Sequence, residues 1–359
     1  MTRFRTTGVS FDHMHMGDLL RQVQDHPGAE IAGIFDPDPA RMARAVADFN
    51  IPSDRVFTDF DACMAATKPD LTVLCAATSD HATYAERIAP YGTHLFVEKP
   101  FAASAADARR MMAAMLPTGK LMAINWPLAW VPSHVTAKRL IDQGLIGTLR
   151  EVHFYDGNRG PLYHLADKVA VTPQQVEAQK PGSWWYKRAA GGGSLRDYLG
   201  YGATLGTWYM GRPPIEITAT TDDTPGIEVD QHSVTVLRYD TGLSRMETRW
   251  GTFTDPWTIQ PQPQCGFNFV GSDGTIQSRD YADHVTVQTR ARPEPHQIAA
   301  DTLPEGRRNA IEYVLTCIAP ANPSPVRSIP PSACSVNASS IPPPPRPVKS
   351  ARLRSSVRV

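Results

Sequence analysis

The residues best equipped for chemistry stand at the ends of apolar runs. THLFVEKP, Thr93 to Pro100, is a short apolar run, His94 to Val97, that stops at Glu98-Lys99-Pro100. Bounded by Gly92 and Pro100, it reads as a buried strand of a parallel sheet, and ligands gather at the carboxyl ends of such strands. Lys99 would then face a ligand, with Pro100 fixing the backbone that aims it. An ordinary strand end with a solvated lysine would look the same. A second run, EIAGIF, ends at Asp36, where a carboxylate would accept both hydroxyls of an adenosine ribose and repel a 2′-phosphate. That favours NAD over NADP; the alternative is an aspartate opening a turn before Pro37. Asp197 and Tyr201, which follow Gly191-Gly192-Gly193, share one face of an expected helix because they are four residues apart.

The first turn, in GVSFDHMHMG, lacks the GxGxxG that lets a backbone approach a pyrophosphate. Only Gly17 stands where the third glycine would be. Asp12, His13 and His15 crowd the turn instead, and Asp12 would sit near phosphate charge. Alternate residues on a loop are poor evidence for a closed metal site, so no metal is expected.

These residues need a frame, and the first half supplies one by alternating short apolar runs with helical patterns, as a doubly wound sheet does. Strands are expected near 4–10, 30–35, 71–76, 94–98 and 120–125, with helices near 16–26, 39–48, 58–67, 80–91 and 103–115, the last capped by Ser104. Beyond Asn125 the pattern changes. Trp126 to Trp130 and a helix over 133–143 lead into runs such as REVHFYDG, HSVTVLRY, RMETRWGTF and HVTVQTR. Their alternation predicts a mostly antiparallel sheet with one covered face; the other is solvated or a subunit interface. The expected division is a Rossmann domain over 1–126, an α+β domain over 127–320 and a Pro/Ser-rich tail over 321–359.

A chain of 359 residues suits two domains. Lys+Arg and Asp+Glu are equal at 36 each, which removes the electrostatic argument for nucleic acid or an anionic membrane. The five cysteines are scattered without a CxxC pair, which points to a reducing, cytoplasmic compartment. The first residues have no apolar signal core, and no apolar run approaches the ~20 residues of a membrane helix.

The chain resembles the glucose-fructose oxidoreductase, inositol dehydrogenase and rhizopine catabolism family (Gfo/Idh/MocA) from about residue 5 to about residue 319. The resemblance rests on Asp36-Pro37-Asp38-Pro39, Thr78-Ser79-Asp80-His81, Glu98-Lys99-Pro100, the segments 141–150 and 191–211, and Gly271-Ser272-Asp273-Gly274-Thr275, in that order. It implies an NAD(P)-binding Rossmann domain followed by an open-faced sheet that builds the substrate site and an oligomer contact, so a homodimer or tetramer through the sheet face is expected. It places Phe11, Asp12, Met16, Gly17, Asp36, Ala77, Thr78, His81, Glu98, Lys99 and Asn125 along the dinucleotide. It casts Lys99, Asp197 and Tyr201 as catalytic. Many members have histidine where this chain has Tyr201, and the missing glycines are a second departure.

Oxidising an alcohol requires a group to take the hydroxyl proton as hydride leaves. Tyrosine, with an ordinary pKa of about 10, does this near neutrality only if a cation stabilises the phenolate. Tyr201 is therefore expected as acid/base, Lys99 as the cation that lowers its pKa and holds the substrate hydroxyl, and Asp197 as their orienting partner. Asn125, Trp126, Trp185, Tyr186 and Lys187 are expected substrate contacts, because aromatic faces and amides suit a polyhydroxylated ring. The expected activity is NAD-dependent hydride transfer to or from a sugar, cyclitol or related polyol. The alternatives are a non-catalytic dinucleotide sensor or scaffold, and an NAD-retaining glycosidase or epimerase.

After about residue 319 the chain turns Pro- and Ser-rich without an apolar period, as a disordered extension does. A frameshift is the other expectation. Joining each codon's third base to the next two would make Ser332, Cys334, Ser339 and Ser340 apolar at helical spacing, given TC-type serine codons, with Ser335 added on the same condition. Residues 328–342 then read as an amphipathic helix. A shift arising within 323–329 would have replaced the authentic C-terminus and left Leu315 without an apolar partner; resequencing the gene decides.

Overall fold

The computed structural model describes residues 3–163, 171–222 and 224–319. Six parallel strands form the first sheet: β1 (Phe4–Phe11), β2 (Ala29–Phe35), β3 (Val56–Phe57), β4 (Leu71–Cys75), β5 (His94–Glu98) and β6 (Met122–Asn125). Their order is β3-β2-β1-β4-β5-β6. All five residues of β4 are buried, as a strand covered on both faces requires. Successive strands are added outward in one direction from β1 to β3 and in the other from β4 to β6, and ligands bind in the crevice where that order switches, between β1 and β4.

The covering helices are α1 (His15–Asp25), α2 (Pro39–Phe49), α3 (Phe60–Thr67), α4 (His81–Ile88) and α5 (Ala105–Met115). Their starts are written in side chains: Asp38 accepts the Ala40 N–H, Asp59 that of Ala62 and Ser104 that of Asp107, each satisfying a donor that the helix itself leaves unpaired.

After α6 (Pro132–Asp142) the chain enters the second sheet through β7 (Leu149–Asn158); α7 (Pro173–Gln179) and α8 (Ser194–Met210) follow. The remaining strands are β8 (Glu216–Thr221), β9 (His232–Arg238), β10 (Leu243–Trp250), β11 (Gly266–Gly271), β12 (Gly274–Arg279), β13 (His284–Thr289) and β14 (His296–Ala299). Their order is β14-β13-β12-β11-β7-β10-β9-β8. Every pairing is antiparallel except that of β7 with β10, which is parallel. The chain thus has the expected two-sheet α/β architecture.

One face of this sheet is sealed by α8 over β7 and β10 and by α6 over β12. The approach of α8 depends on Gly202 and Gly206. A Cβ on Gly202 would stand 2.7 Å from both Met246 and Phe154, and one on Gly206 would stand 2.6 Å from Met246, closer than real contacts allow. The opposite face is open, with Val236 and Leu243 exposed on it.

The last helix among the described residues, α9 (Ala310–Ile318), leaves the second sheet and packs on α1. Ala310, Ile311, Val314 and Leu315 join the core of the first domain, so a single boundary at residue 126 does not divide the chain. Leu315 is fully buried there with partners from the first domain. The tail expectations fall on residues 320–359, outside the described residues.

Candidate active site

The carboxyl end of β5 and the first turn of α8 bring Lys99 and Asp197 together. Both are buried, and the Lys99 ammonium forms a direct ion pair with one Asp197 oxygen. The other oxygen accepts the Trp250 Nε1–H at 2.9 Å, so Asp197 is held from the sheet below. Lys99 Nζ lies 5.5, 5.7 and 5.8 Å from the ring centres of Tyr201, Trp185 and Tyr198, within reach of cation–π attraction. Lys99, Asp197, Tyr201 and Trp185 line one cavity of about 80 Å³.

Tyr201 departs from its expected electrostatics. Burial first, then the charges of Glu98, Asp197 and Asp156, push its pKa well above the ordinary value. With Lys99 already paired to Asp197, carboxylates outweigh the cation, and Tyr201 is a neutral phenol rather than a phenolate.

Other expected contacts stand back from the cavity. Trp126 packs edge-on against Tyr201 at 5.7 Å, and Tyr186 packs against Trp250 at 5.4 Å. Lys187 is partly exposed, with Nζ 3.6 Å from Glu228, and does not reach the cavity. Met16 is buried beneath Gly8 and is a core residue. His81 is fully buried, its ring nitrogens 3.1 and 3.0 Å from the carbonyl oxygens of Phe101 and Ala76. It fastens the loop after β5 and does not face the crevice. Gly17 is partly exposed in the first turn of α1.

Asp36 ends β2 as expected, but it is fully buried. Its oxygens accept the Phe11 N–H at 2.7 Å and the Asp38 N–H at 2.8 Å. Burial raises its pKa, against those two N–H groups and the Arg41 charge. Asp12 spans the crevice: its Oδ2 accepts the Ala77 N–H at 3.1 Å and the Ser10 hydroxyl at 2.9 Å, and Arg41 pairs with its Oδ1. The Asp12 carbonyl accepts Trp184 Nε1–H from the second domain at 3.2 Å. Ser10 has φ of 62°, the left-handed region that a glycine adopts without strain. The Thr78 hydroxyl is buried there without a partner.

Glu98 is fully buried and accepts the Asn125 amide at 2.7 Å; its other oxygen lies 2.8 Å from His15 Nδ1 and 3.7 Å from His13 Nε2. Burial pushes its pKa up, but His15, Lys99 and Asn125 more than offset this, and the net direction is down. The donor atoms of His13, His15 and Glu98 lie within 4.8 Å of one another, as do those of Asp156, Cys265 and Asp280. In the first group His13 Nδ1 accepts the His15 N–H at 3.2 Å. His13 Nδ1 therefore carries the lone pair, and Glu98 is hydrogen-bonded by His15 and Asn125.

Sequence reasoning missed Asp156, Asn158, Tyr198, Asp280 and Tyr281, all of which line the cavity. Asp156 is buried, and burial followed by the Asp280 charge holds its pKa well above the usual carboxylate range. Asp280 pairs with His134 Nε2 at 2.8 Å, and the other nitrogen of that ring lies 2.7 Å from the Ser278 hydroxyl. The alternation of β7 carried a signal, since Val152, Phe154 and Asp156 fall on one face.

Residues 11–125 match the model of an oxidoreductase family with an NAD-binding Rossmann fold, and residues 134–277 match the GFO/IDH/MocA C-terminal domain. The chain belongs to the Gfo/Idh/MocA family. Among the relatives it resembles is a D-apiose dehydrogenase of Paraburkholderia graminis, 31% identical over 129 residues, which cover 36% of this chain and 34% of that protein. An inositol 2-dehydrogenase of Rhizobium meliloti is 26% identical over 221 residues, 60% of this chain and 59% of that protein. The chain therefore spans less than two thirds of these curated relatives. The solved aldose-aldose oxidoreductase of Caulobacter crescentus, complexed with glycerol, superposes with a TM-score of 0.70 at 18% identity, covering 88% of each chain. That likeness is one of fold.

The first domain is accordingly an NAD-binding Rossmann domain. Its crevice suits the dinucleotide on its own chemistry, since the buried Thr78 hydroxyl has no hydrogen-bond partner there. The first turn differs from the glycine form, because Asp12 already holds the Ala77 N–H.

Proposed function

We propose that this protein is an NAD-dependent dehydrogenase or reductase acting on a hydroxyl or carbonyl carbon of a sugar, cyclitol or related polyol. The buried Lys99–Asp197 pair at the cavity carries the reading. A charged pair removed from water is costly to maintain, and this one faces a space lined by groups that bind hydroxyls. Lys99 donates to the substrate oxygen and stabilises negative charge there. Asp197, anchored by Trp250, orients Lys99. Tyr201 and Tyr198 act as neutral hydrogen-bond donors, and Asp156, Asn158 and Asp280 receive further hydroxyls.

Asp36, Ala77, Thr78, Glu98 and Asn125 would hold the dinucleotide, whose nicotinamide supplies the hydride acceptor or donor. Asp36 favours NAD over NADP by repelling a 2′-phosphate. Among the described residues no helix is long and apolar enough to cross a membrane. The buried thiols of Cys63, Cys75 and Cys265 suit a reducing cytoplasm, and the open sheet face, with Val236 and Leu243 exposed, suits contact with a second copy.

The test is calorimetric titration with NAD and NADP, followed by a screen of sugars and polyols for change in the nicotinamide absorbance band. Tighter NAD binding and turnover of a polyol support the reading. Binding without turnover of any member would favour a sensor, and tighter NADP binding would overturn the role of Asp36.

A further inference from the structure

His15 stands where two cavities meet. The inner one, about 80 Å³, is the candidate active site; at roughly 10–15 Å³ per water it holds several molecules. The outer one, about 380 Å³, opens to the surface among the exposed Asp18, Arg21 and Asp25. His15, Pro127, Trp257 and Tyr281 line both. Of these four, only His15 and Tyr281 carry a titratable proton. Tyrosine ordinarily holds its proton up to pH about 10, whereas imidazole exchanges one near neutrality.

We propose that His15 is the proton exit of the active site, passing the proton released from the substrate hydroxyl to water in the outer cavity. The proposal rests on the dehydrogenase reading given above. In the oxidative direction the carbinol C–H bond breaks, its electron pair leaves as hydride to oxidised nicotinamide, and a carbonyl forms as the O–H proton departs. That proton passes through cavity water to His15 and then to outer water, returning the imidazole to neutrality. Reduction runs the same path inward.

The surroundings of His15 fit the task. An ionised carboxylate can only accept, so His15 Nδ1 donates to Glu98 across their 2.8 Å contact and keeps its proton. Nε2 is then the nitrogen that takes up and releases the second one. Glu98, fixed on its other side by Asn125 at 2.7 Å, stabilises the imidazolium while it lasts. Among the described residues, Glu98 at the end of β5 bonds the ring and His13 in the preceding turn has its ring centre 4.4 Å away, while Lys99, Asp18 on α1 and Tyr281 after β12 share a cavity wall with it. An exit of this kind lets the substrate cavity stay closed during hydride transfer, since the proton need not leave by the substrate's entrance.

The experiment compares wild type with His15→Gln and His15→Asn, each checked for folding by thermal melt and for NAD binding by calorimetry. The expected result is a kcat lower by on the order of 10²-fold, the size of a lost proton-transfer group. Added imidazole should restore part of the rate, and NAD affinity should change by less than about threefold. An unchanged kcat in either folded variant, or a lowered kcat that added imidazole does not raise, overturns the proton exit while leaving the dehydrogenase reading standing. A wild type that oxidises and reduces no polyol overturns both.

Discussion

Asp12 occupies the position most hostile to a phosphate, and its effect should be measurable on its own. Its carboxylate takes the Ala77 N–H, a donor at the crevice where the dinucleotide passes. Replacing Asp12 with Asn removes one negative charge at partial exposure, an effect of ~1–4 kcal/mol at contact distance. NAD should then bind on the order of tenfold more tightly by calorimetry, and unchanged or weaker binding would show that Asp12 turns away when the cofactor enters. Lys99 and Tyr201 should separate in the same spirit. Lys99→Ala leaves Asp197 buried without its cation, so it should lower turnover by ~10²–10⁴-fold and cost about 3–5 kcal/mol of stability in a denaturant titration. Tyr201→Phe removes a neutral donor and should cost turnover less than Lys99→Ala does. Because burial and carboxylates raise the Tyr201 pKa, no tyrosine limb should appear in the kcat profile below pH about 10. A limb there that vanishes in Tyr201→Phe would restore the phenolate reading.

Helix α8 carries Asp197 and Tyr201, and its seat on the sheet is set by two glycines. Gly202→Ala would press a methyl against Met246 and Phe154, an overpacking that costs ~1–3 kcal/mol. It should also lower turnover by tilting the first turn of α8, and a variant with native stability and rate would show that the seat is soft. Helix α9 makes a different demand. Glu312 accepts the Arg308 guanidinium and backbone N–H, which holds its carboxyl down to about 2. A depressed carboxylate pKa stabilises the fold above the unfolded value of about 4.3. This contribution should therefore be lost as pH falls from about 4 toward 2, and Glu312→Gln should flatten that part of a stability against pH curve. The sequence made the first five helices and most strands legible, because apolar period and caps agree there. It hid the two-residue β3 and the short β14, which are too brief to show a period. It also hid the return of α9, since nothing in an amphipathic helix names the domain it packs on. At the site, Lys99 was legible from its strand end, whereas the burial of Asp36 and the neutrality of Tyr201 depend on neighbours distant in sequence.

On the scale of the whole molecule the two domains meet at the cofactor turn. Trp184 reaches from the second domain to donate to the Asp12 carbonyl, and its ring stacks on Trp185 with centres 3.9 Å apart and an interplanar angle of 24°. Trp185 in turn lines the active-site cavity. Two indoles this close share their electronic excitation, so the pair is a built-in optical gauge of the domain junction. Near-ultraviolet circular dichroism of the native protein should show a two-signed band from them. Titrating in NAD should change that band if the turn moves to admit the dinucleotide, and Trp184→Phe should abolish it. A band indifferent to saturating NAD would mean that the junction is rigid and the cofactor accommodates itself to Asp12. The molecule can thus report on its own domain junction without any label.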